Sequence, residues 1–414
     1  MNEHQKRTKC AICNNEHLIS ILEYGDISLA GAFPKYEEII GIKKYNLSLL
    51  YCTECHLLQT NGIIDPDFLF KEYRYFSSFS LTNHFNQYAD YLIKKFSLTK
   101  ESKTFEFGSN DGVLLIPMNE RGITMFGFEP SENVSKLAIE KGCSVINDYF
   151  NYDTAKKYLK DEKYDLITAS NTFAHIDNIR SVVEGIKYAL KENGHFIFEV
   201  HYAKNLIEEL QYDNIYHEHM YYYTVTSLSY LFKLYDMSII DVEEISLHAG
   251  CIRVTVINNK VEPTDAYLSF LSKERDIGMN TIEYYESFKN IVTSHQKELL
   301  EFLRNIKNNG GTIAGYGASG RANMLCHFNQ LDNSIIDYII DESPGRYGRY
   351  INGIPIYNKD RLDPKTDYIF IFAWNYSKMI ISKLISDYDY KYIIPLPKIT
   401  VIKTLDEIDL KHTL

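Results

Sequence analysis

Lys103-Thr-Phe-Glu-Phe107-Gly108-Ser-Asn-Asp-Gly112 is a short apolar run that breaks into a turn bounded by two glycines, ahead of Val113-Leu-Leu-Ile116. A turn of this kind lets backbone approach a ligand at the carboxyl edge of a parallel sheet. The residues on either side extend the pattern. Strand candidates at 103–107, 124–129, 144–146, 164–169 and 195–200 alternate with helical periodicity at about 131–141, 152–160 and 179–191. That is the order of a parallel sheet covered on both faces. Two more strands, about 238–245 and 251–258, follow without a long helix between them, as an antiparallel pair added at one sheet edge would require.

Toward the C-terminus, helical periodicity runs from about 265 to 308 and stops at Asn309-Gly310-Gly311. Strand candidates at 311–315, 336–340 and 368–373 then begin a second, smaller doubly wound unit. Toward the N-terminus lie Cys10-x-x-Cys13 and Cys52-x-x-Cys55, 38 residues apart, the pattern of a zinc-ribbon-like module with an inserted loop. Four thiolates around Zn2+ would supply folding energy that so small a piece cannot draw from its core, and would leave no open position, so the metal is expected to be structural. Cys143, Cys251 and Cys326 are scattered and expected to be buried thiols. The expected fold class is α/β: a zinc-binding module over 1–70, a doubly wound domain over 71–262, a helical connector over 263–308 and a Rossmann-like domain over 309–414.

The 414 residues carry 55 acidic against 44 basic side chains, a net −11 with no block of like charge. This balance argues against a nucleic-acid partner. No run approaches the roughly 18 apolar residues of a membrane helix, and no apolar leader follows Met1, so a cytoplasmic protein without a membrane partner is expected. The 34 tyrosines against one tryptophan read as compositional bias rather than a binding surface.

The first glycine turn departs from a dinucleotide fingerprint, because three residues separate Gly108 from Gly112 and the acidic Glu106 sits on the strand itself. Glu129 ends the next strand, where an acid commonly receives ribose hydroxyls, and Asp148 follows the third strand, within reach of an adenine amine. An acidic turn, an acidic ribose clamp and no phosphate-binding glycine triplet fit S-adenosylmethionine, which carries a sulfonium and an amino acid but no phosphate. Asn110, Tyr149 and Asn171 complete the candidate cofactor contacts.

The second turn, Gly315-Tyr-Gly317-Ala-Ser-Gly320, does match G-x-G-x-x-G, with Asp341 21 residues on. Alone it reads as NAD, yet the same geometry holds any diphosphate, and Arg321 would add a bidentate contact. Between the two units lies Tyr216-His-Glu-His219-Met-Tyr-Tyr-Tyr223, in which one histidine suits a general base, with Tyr216 and Glu218 orienting it or binding substrate oxygens. His175 stands just past the fourth strand, a usual place for a catalytic side chain.

Taken in order, the two cysteine pairs, Glu106-Phe-Gly-Ser-Asn-Asp-Gly112, Ile215-Tyr-His-Glu-His219, Gly315-Tyr-Gly-Ala318 and Phe372-Ala-Trp-Asn375 resemble the sugar C-methyltransferases of deoxysugar biosynthesis over essentially the whole chain. The resemblance implies a zinc-binding N-terminal domain, a central S-adenosylmethionine domain and a C-terminal domain that helps hold a nucleoside-diphosphate 4-keto-6-deoxyhexose. It implies that His219 removes the C3 proton and that the enolate attacks the methyl group. Tyr216, Glu218 and His175 match its active-site positions, and Tyr73 or Tyr75 lies where it places a tyrosine. Tyr73, Tyr75, His217, Tyr222, Arg253, Tyr316, Ser319 and Arg321 are the candidate substrate contacts, and a monomer is expected. His248-Ala249-Gly250-Cys251 and Ala318-Ser-Gly-Arg321 depart from the His-Gly-Gly-Ser and Ala-Pro-Ala-Lys-Gly of such enzymes, where substrate contacts are expected. The other readings are an NAD-dependent nucleotide-sugar oxidoreductase and a zinc-ribbon nucleic-acid adaptor.

Overall fold

The computed structural model describes residues 4–71, 77, 81–247, 250–384 and 389–407. Tyr73, Tyr75, His248 and Ala249 lie outside the described residues. The central unit is a seven-stranded sheet in the spatial order Ser238–Ile245, Cys251–Ile257, Leu190–His201, Tyr164–Ser170, Thr104–Phe107, Met125–Phe128, Val145–Ile146. Its last five strands are parallel, and Cys251–Ile257 joins antiparallel to Leu190–His201, so the added edge pair is present as expected. The helices form as their periodicity requires. In Ile179–Ala189 the buried residues Ile179, Val182, Val183 and Ile186 share one face, and the Asn178 side chain caps the start by accepting from Ser181 N.

The C-terminal unit is a second seven-stranded sheet whose middle strands, Ile354–Tyr357, Tyr338–Ile340, Ile313–Tyr316, Tyr368–Ile371 and Lys391–Ile394, are parallel. Tyr350–Ile351 and Thr400–Ile402 close its edges antiparallel. At the N-terminus, Leu18–Ile27, Tyr45–Cys52 and Leu58–Thr60 form an antiparallel sheet whose fourth strand, Tyr221–Tyr222, comes from the middle of the chain. The segment carrying Tyr216 to His219 is therefore anchored in the N-terminal sheet at its downstream end.

The connector is a spine rather than a tether. Helix Ile282–Asn308 buries Tyr285, Phe288, Val292, His295, Leu299, Leu303 and Ile306, a stripe spaced by three and four residues. Through it the N-terminal sheet and the C-terminal unit share one continuous core that runs from Ile21, Leu47 and Leu49 to Ile313, Ile339 and Phe370. The central sheet has its own cores, one on each face. Between these units opens a cleft of about 2020 Å3 lined by all three. Among the described residues no helix is long and apolar enough to cross a membrane.

Candidate active site

The cleft begins at the first glycine turn. Gly108 has φ +68°, a conformation that disfavours a side chain, and a Cβ there would come within 2.1 Å of Thr172 Oγ1. Its amide and that of Ser109 donate to Phe128 O at 2.8 and 3.1 Å, which ties the turn to the end of the neighbouring strand. Glu129 ends that strand and accepts from Asn110 N at 2.9 Å and Ser131 N at 3.0 Å. Burial raises its pKa, with those amides opposing the rise. Gly108, Asn110, Glu129, Tyr149 and Asn171 all line the cleft. Asn171 holds φ 52°, and Tyr149 donates to Asp67 Oδ1 at 3.2 Å.

Three other expected cofactor contacts lie elsewhere. Glu106 is 2% exposed; burial pushes its carboxyl up to about 8, Ser170 opposing. It is a neutral acid at pH 7 behind the turn rather than a carboxylate in the cleft, and its Oε2 has no hydrogen-bond partner among the described residues. Gly112, at φ +81°, serves packing, since a Cβ would meet Cys143 Sγ at 2.8 Å. Asp148 accepts from Tyr158 Oη at 2.9 Å and from its neighbour Tyr149 N, which directs it away from the cleft. The wall as a whole fits S-adenosylmethionine. It offers an acceptor pair at the second strand end, an orphaned buried carboxyl oxygen beneath the turn, and no cluster of phosphate-binding amides. Gly108→Ala is expected to strain the turn by about 1–3 kcal/mol and to abolish the rise in Tm that S-adenosylhomocysteine gives the wild type, as differential scanning fluorimetry would measure.

The facing segment follows the 3-10 turn Tyr212–Asn214. His219 N donates to Tyr216 O at 3.0 Å, a tight turn that brings the two rings to a centroid separation of 3.9 Å. His219 Nδ1 lies 3.2 Å from Asn214 O, and a carbonyl only accepts, so the ring proton sits on Nδ1. In the neutral ring the Nε2 lone pair accepts from the Tyr216 hydroxyl at 2.8 Å. His175 donates from Nδ1 to Glu218 O at 2.7 Å, and burial lowers its pKa to about 4, so it is neutral at pH 7. Its ring centroid is 4.9 Å from that of His219. Burial pushes Glu218 up to about 7, and its Oε2 has no hydrogen-bond partner among the described residues. Tyr216, Glu218, His219 and His175 thus converge on one part of the cleft.

His217 does not join them: its Nε2 contacts Tyr45 O at 3.2 Å and its ring packs edge-on against Tyr45, in the N-terminal sheet. Alternate residues of an extended segment share a face, but the turn at 216–219 breaks that rule and sends 217 and 219 in opposite directions. Tyr222 is buried behind the site, donating to Asn214 O at 3.2 Å. Arg253 is likewise removed from substrate. Its Nε and Nη2 both donate to Oε1 of buried Glu199, at 3.0 and 2.6 Å, and its guanidinium stacks 4.4 Å from both Tyr88 and Tyr91.

On the C-terminal wall the glycine turn is closed by its own chain. Ala318 N donates to Asp341 Oδ2 at 2.7 Å, so the acid expected at a ribose caps the turn instead. Ser319 lines the cleft, and its Oγ accepts from Ala322 N at 3.2 Å. Asn323 Nδ2 clamps the N-terminal loop through Leu29 O, Ala30 O and Ala32 O, and a Cβ on Gly320 would stand 3.3 Å from Ala30. That loop packs directly against the glycine turn. Tyr316 donates to Glu342 at 2.7 Å outside the cleft, and Arg321 is bound to Asp213.

The cleft also holds residues the sequence reading missed. His201, at the carboxyl end of its strand, brings its ring centroid within 5.1 Å of His219, and strand-end position alone could have flagged it. Arg346, 3.5 Å over the Phe33 ring, and Arg349, donating to Phe33 O, follow no motif. Neither does the loop from Leu29 to Lys35, which makes the N-terminal module part of the cleft wall.

The four cysteines meet as expected. All their sulfurs lie within 4.8 Å of one another, with Cys10–Cys55 at 3.4 Å and Cys13–Cys52 at 3.5 Å. Tetrahedral Zn–S bonds of about 2.3 Å imply edges of about 3.8 Å, so the set fits zinc. Both pairs use the same knuckle: Asn14 N donates to Cys10 O and His56 N to Cys52 O, and Asn14 and His56 both hold φ near 60° (61° and 60°).

Comparison with known families agrees with this arrangement. Residues 10–70 match a zinc binding domain, 81–242 a methyltransferase domain and 246–397 a C-methyltransferase C-terminal domain. The chain is 28% identical over 407 residues to the C-methyltransferase NovU of Streptomyces niveus, covering 95% of this chain and 96% of that protein. It is 29% identical over 119 residues to a ubiquinone biosynthesis O-methyltransferase of Actinobacillus pleuropneumoniae, 26% of this chain and 50% of that one. Among solved structures, magnesium protoporphyrin IX methyltransferase from Synechocystis aligns over 42% of this chain and 82% of its own, with 14% identity and a TM-score of 0.34. The chain is an enzyme of the methyltransferase class.

Proposed function

We propose that the chain, which matches a C-methyltransferase C-terminal domain and is 28% identical to a C-methyltransferase over 95% of its length, methylates C3 of a nucleoside-diphosphate 4-keto-6-deoxyhexose, as a cytoplasmic monomer without nucleic-acid or membrane partners. Labour divides among a zinc module over 1–70, a donor domain over 71–262, a connector over 263–308 and an acceptor domain over 309–414. S-adenosylmethionine would supply an electrophilic methyl carbon and depart as S-adenosylhomocysteine. Asn110, Glu129, Tyr149 and Asn171 would hold it, with Glu106 and Gly108 shaping the turn behind.

The observation that carries the reading is the poise of His219, whose Nδ1 donates to the Asn214 carbonyl and whose Nε2 faces the Tyr216 hydroxyl in the cleft. When the Tyr216 hydroxyl redirects its hydrogen bond to the substrate C4 oxygen, Nε2 is free to take the C3 proton, and the C–H electron pair moves into the C3–C4 enolate. Negative charge then builds on the C4 oxygen, where an ionised carboxylate would repel it. Glu218, held near half-protonation at neutral pH, donates there instead. Arg346 and Arg349 give the opposite wall a positive field suited to a diphosphate. Mass spectrometry of the protein with S-adenosylmethionine and a panel of 4-keto-6-deoxysugar nucleotides in deuterated water tests the reading. One carbon-bound methyl together with deuterium wash-in at C3 is expected, and neither across the panel would overturn the acceptor assignment.

The sign of the Glu218 shift gives a pH prediction. Its folded value of about 7 exceeds the ordinary 4.5, so the folded state favours the protonated form. The stability linked to it is full below pH 4.5 and is lost as pH rises to 7. Glu218→Gln keeps a neutral donor and is expected to remove both that decline in Tm and the fall in kcat above pH 7. Melting curves and rate profiles from pH 5 to 9 measure both.

A further inference from the structure

We infer that Asp213 and Arg321 are positioning residues for His219, a buried brace through which the C-terminal unit sets the protonation pattern of the base. Asp213 is fully buried. Its oxygens accept Arg321 Nη2 at 2.8 Å and Nε at 3.0 Å, and Trp374 Nε1 at 2.9 Å, while the Arg321 guanidinium lies 4.8 Å over the Trp374 ring. A bidentate, charge-assisted pair further held by an indole leaves the fork of Arg321 committed to protein rather than to a diphosphate.

The brace acts on a single short turn. Next to Asp213, Asn214 O accepts both His219 Nδ1 and Tyr222 Oη at 3.2 Å. On the other side, Tyr212 O accepts Tyr24 Oη at 2.6 Å, and the Tyr212 hydroxyl meets His295 Nδ1 and Asn329 Oδ1, each at 3.2 Å. Three consecutive residues are thus tied to the N-terminal sheet, the connector helix, the C-terminal unit and the base. The Asn214 carbonyl is what keeps the His219 proton on Nδ1. If that carbonyl turns away, the ring is free to carry its proton on Nε2, where it donates and cannot receive the C3 proton.

The kinetic half of the test rests on the C-methylation reading, while the spectroscopic half does not. Arg321→Lys keeps the charge and loses the fork, and Arg321→Gln removes both; each is examined below its own Tm. The expected result is a fall in kcat and in C3 deuterium exchange of about 10–100-fold, with KM and the calorimetric Kd for the nucleoside diphosphate nearly unchanged and Lys milder than Gln. In 15N-histidine spectra of the unliganded protein, the His219 signals, assigned by His219→Gln, should gain Nε2–H character. Loss of nucleotide affinity at unchanged kcat, or an unaltered His219 tautomer in both variants, would overturn the brace. If wild type exchanges no C3 proton with any sugar, the acceptor reading fails while the tautomer result still decides the brace.

Discussion

His219→Ala should lower C-methylation by about 10²–10⁴-fold, the usual contribution of a positioned general base, while leaving cofactor binding intact. The separation is expected because His219 stands on the segment after Tyr212–Asn214, whereas Gly108, Asn110 and Glu129 belong to the opposite wall. Removal of the imidazole costs the Tyr216 hydroxyl one hydrogen bond and buries no new charge, so the fold should survive. Deuterium exchange at C3 without methyl donor isolates the step. Retention of wild-type exchange in a variant that binds S-adenosylhomocysteine normally would move the base to another group, with His175 and His201 the nearest imidazoles.

Loss of the metal should be as severe, by a different route. Structural zinc contributes on the order of 10 kcal/mol to small domains, and Cys10, Cys52 and Cys55 are wholly buried beside the central core. Cys52→Ser is therefore expected to unfold the N-terminal module. Because Cys52 ends the strand Tyr45–Cys52, whose neighbour Leu58–Thr60 pairs with Tyr221–Tyr222, the damage should reach the segment from Tyr216 to His219. The measurable outcome is one zinc per chain in the wild type, none in the variant, a lower Tm, and activity lost in proportion to metal removed by a strong chelator. Full activity in a metal-free chain would refute a structural zinc.

Strands and helices with strong periodicity, such as Tyr164–Ser170 and Ile282–Asn308, were legible because burial imposes their pattern residue by residue. The two-residue strand Tyr350–Ile351 was not, since so short a run carries no period, whereas Val145–Ile146 was found by its place in the strand–helix alternation. The site shows the same division. Glu129 and His175 followed from their places at strand ends. Arg253 lies outside the cleft and Arg321 lines it, but both are paired to buried carboxylates from distant segments, and a sequence displays a charge without its partner. Glu106 was misread because its side of the strand depends on register, which four residues scarcely define.

The core shared by the N-terminal sheet, the connector helix and the C-terminal unit bears on attempts to recombine such enzymes. Acceptor preference, if it resides in the last hundred or so residues, is not a cassette that ends at the connector. Exchange of that portion alone would set foreign side chains against Leu47, Leu49 and Tyr285, and would break the grip of Asn323 on the Leu29 loop. A viable chimaera has to carry the head and tail of the chain as one inherited piece and replace only the methyl-donor sheet between them.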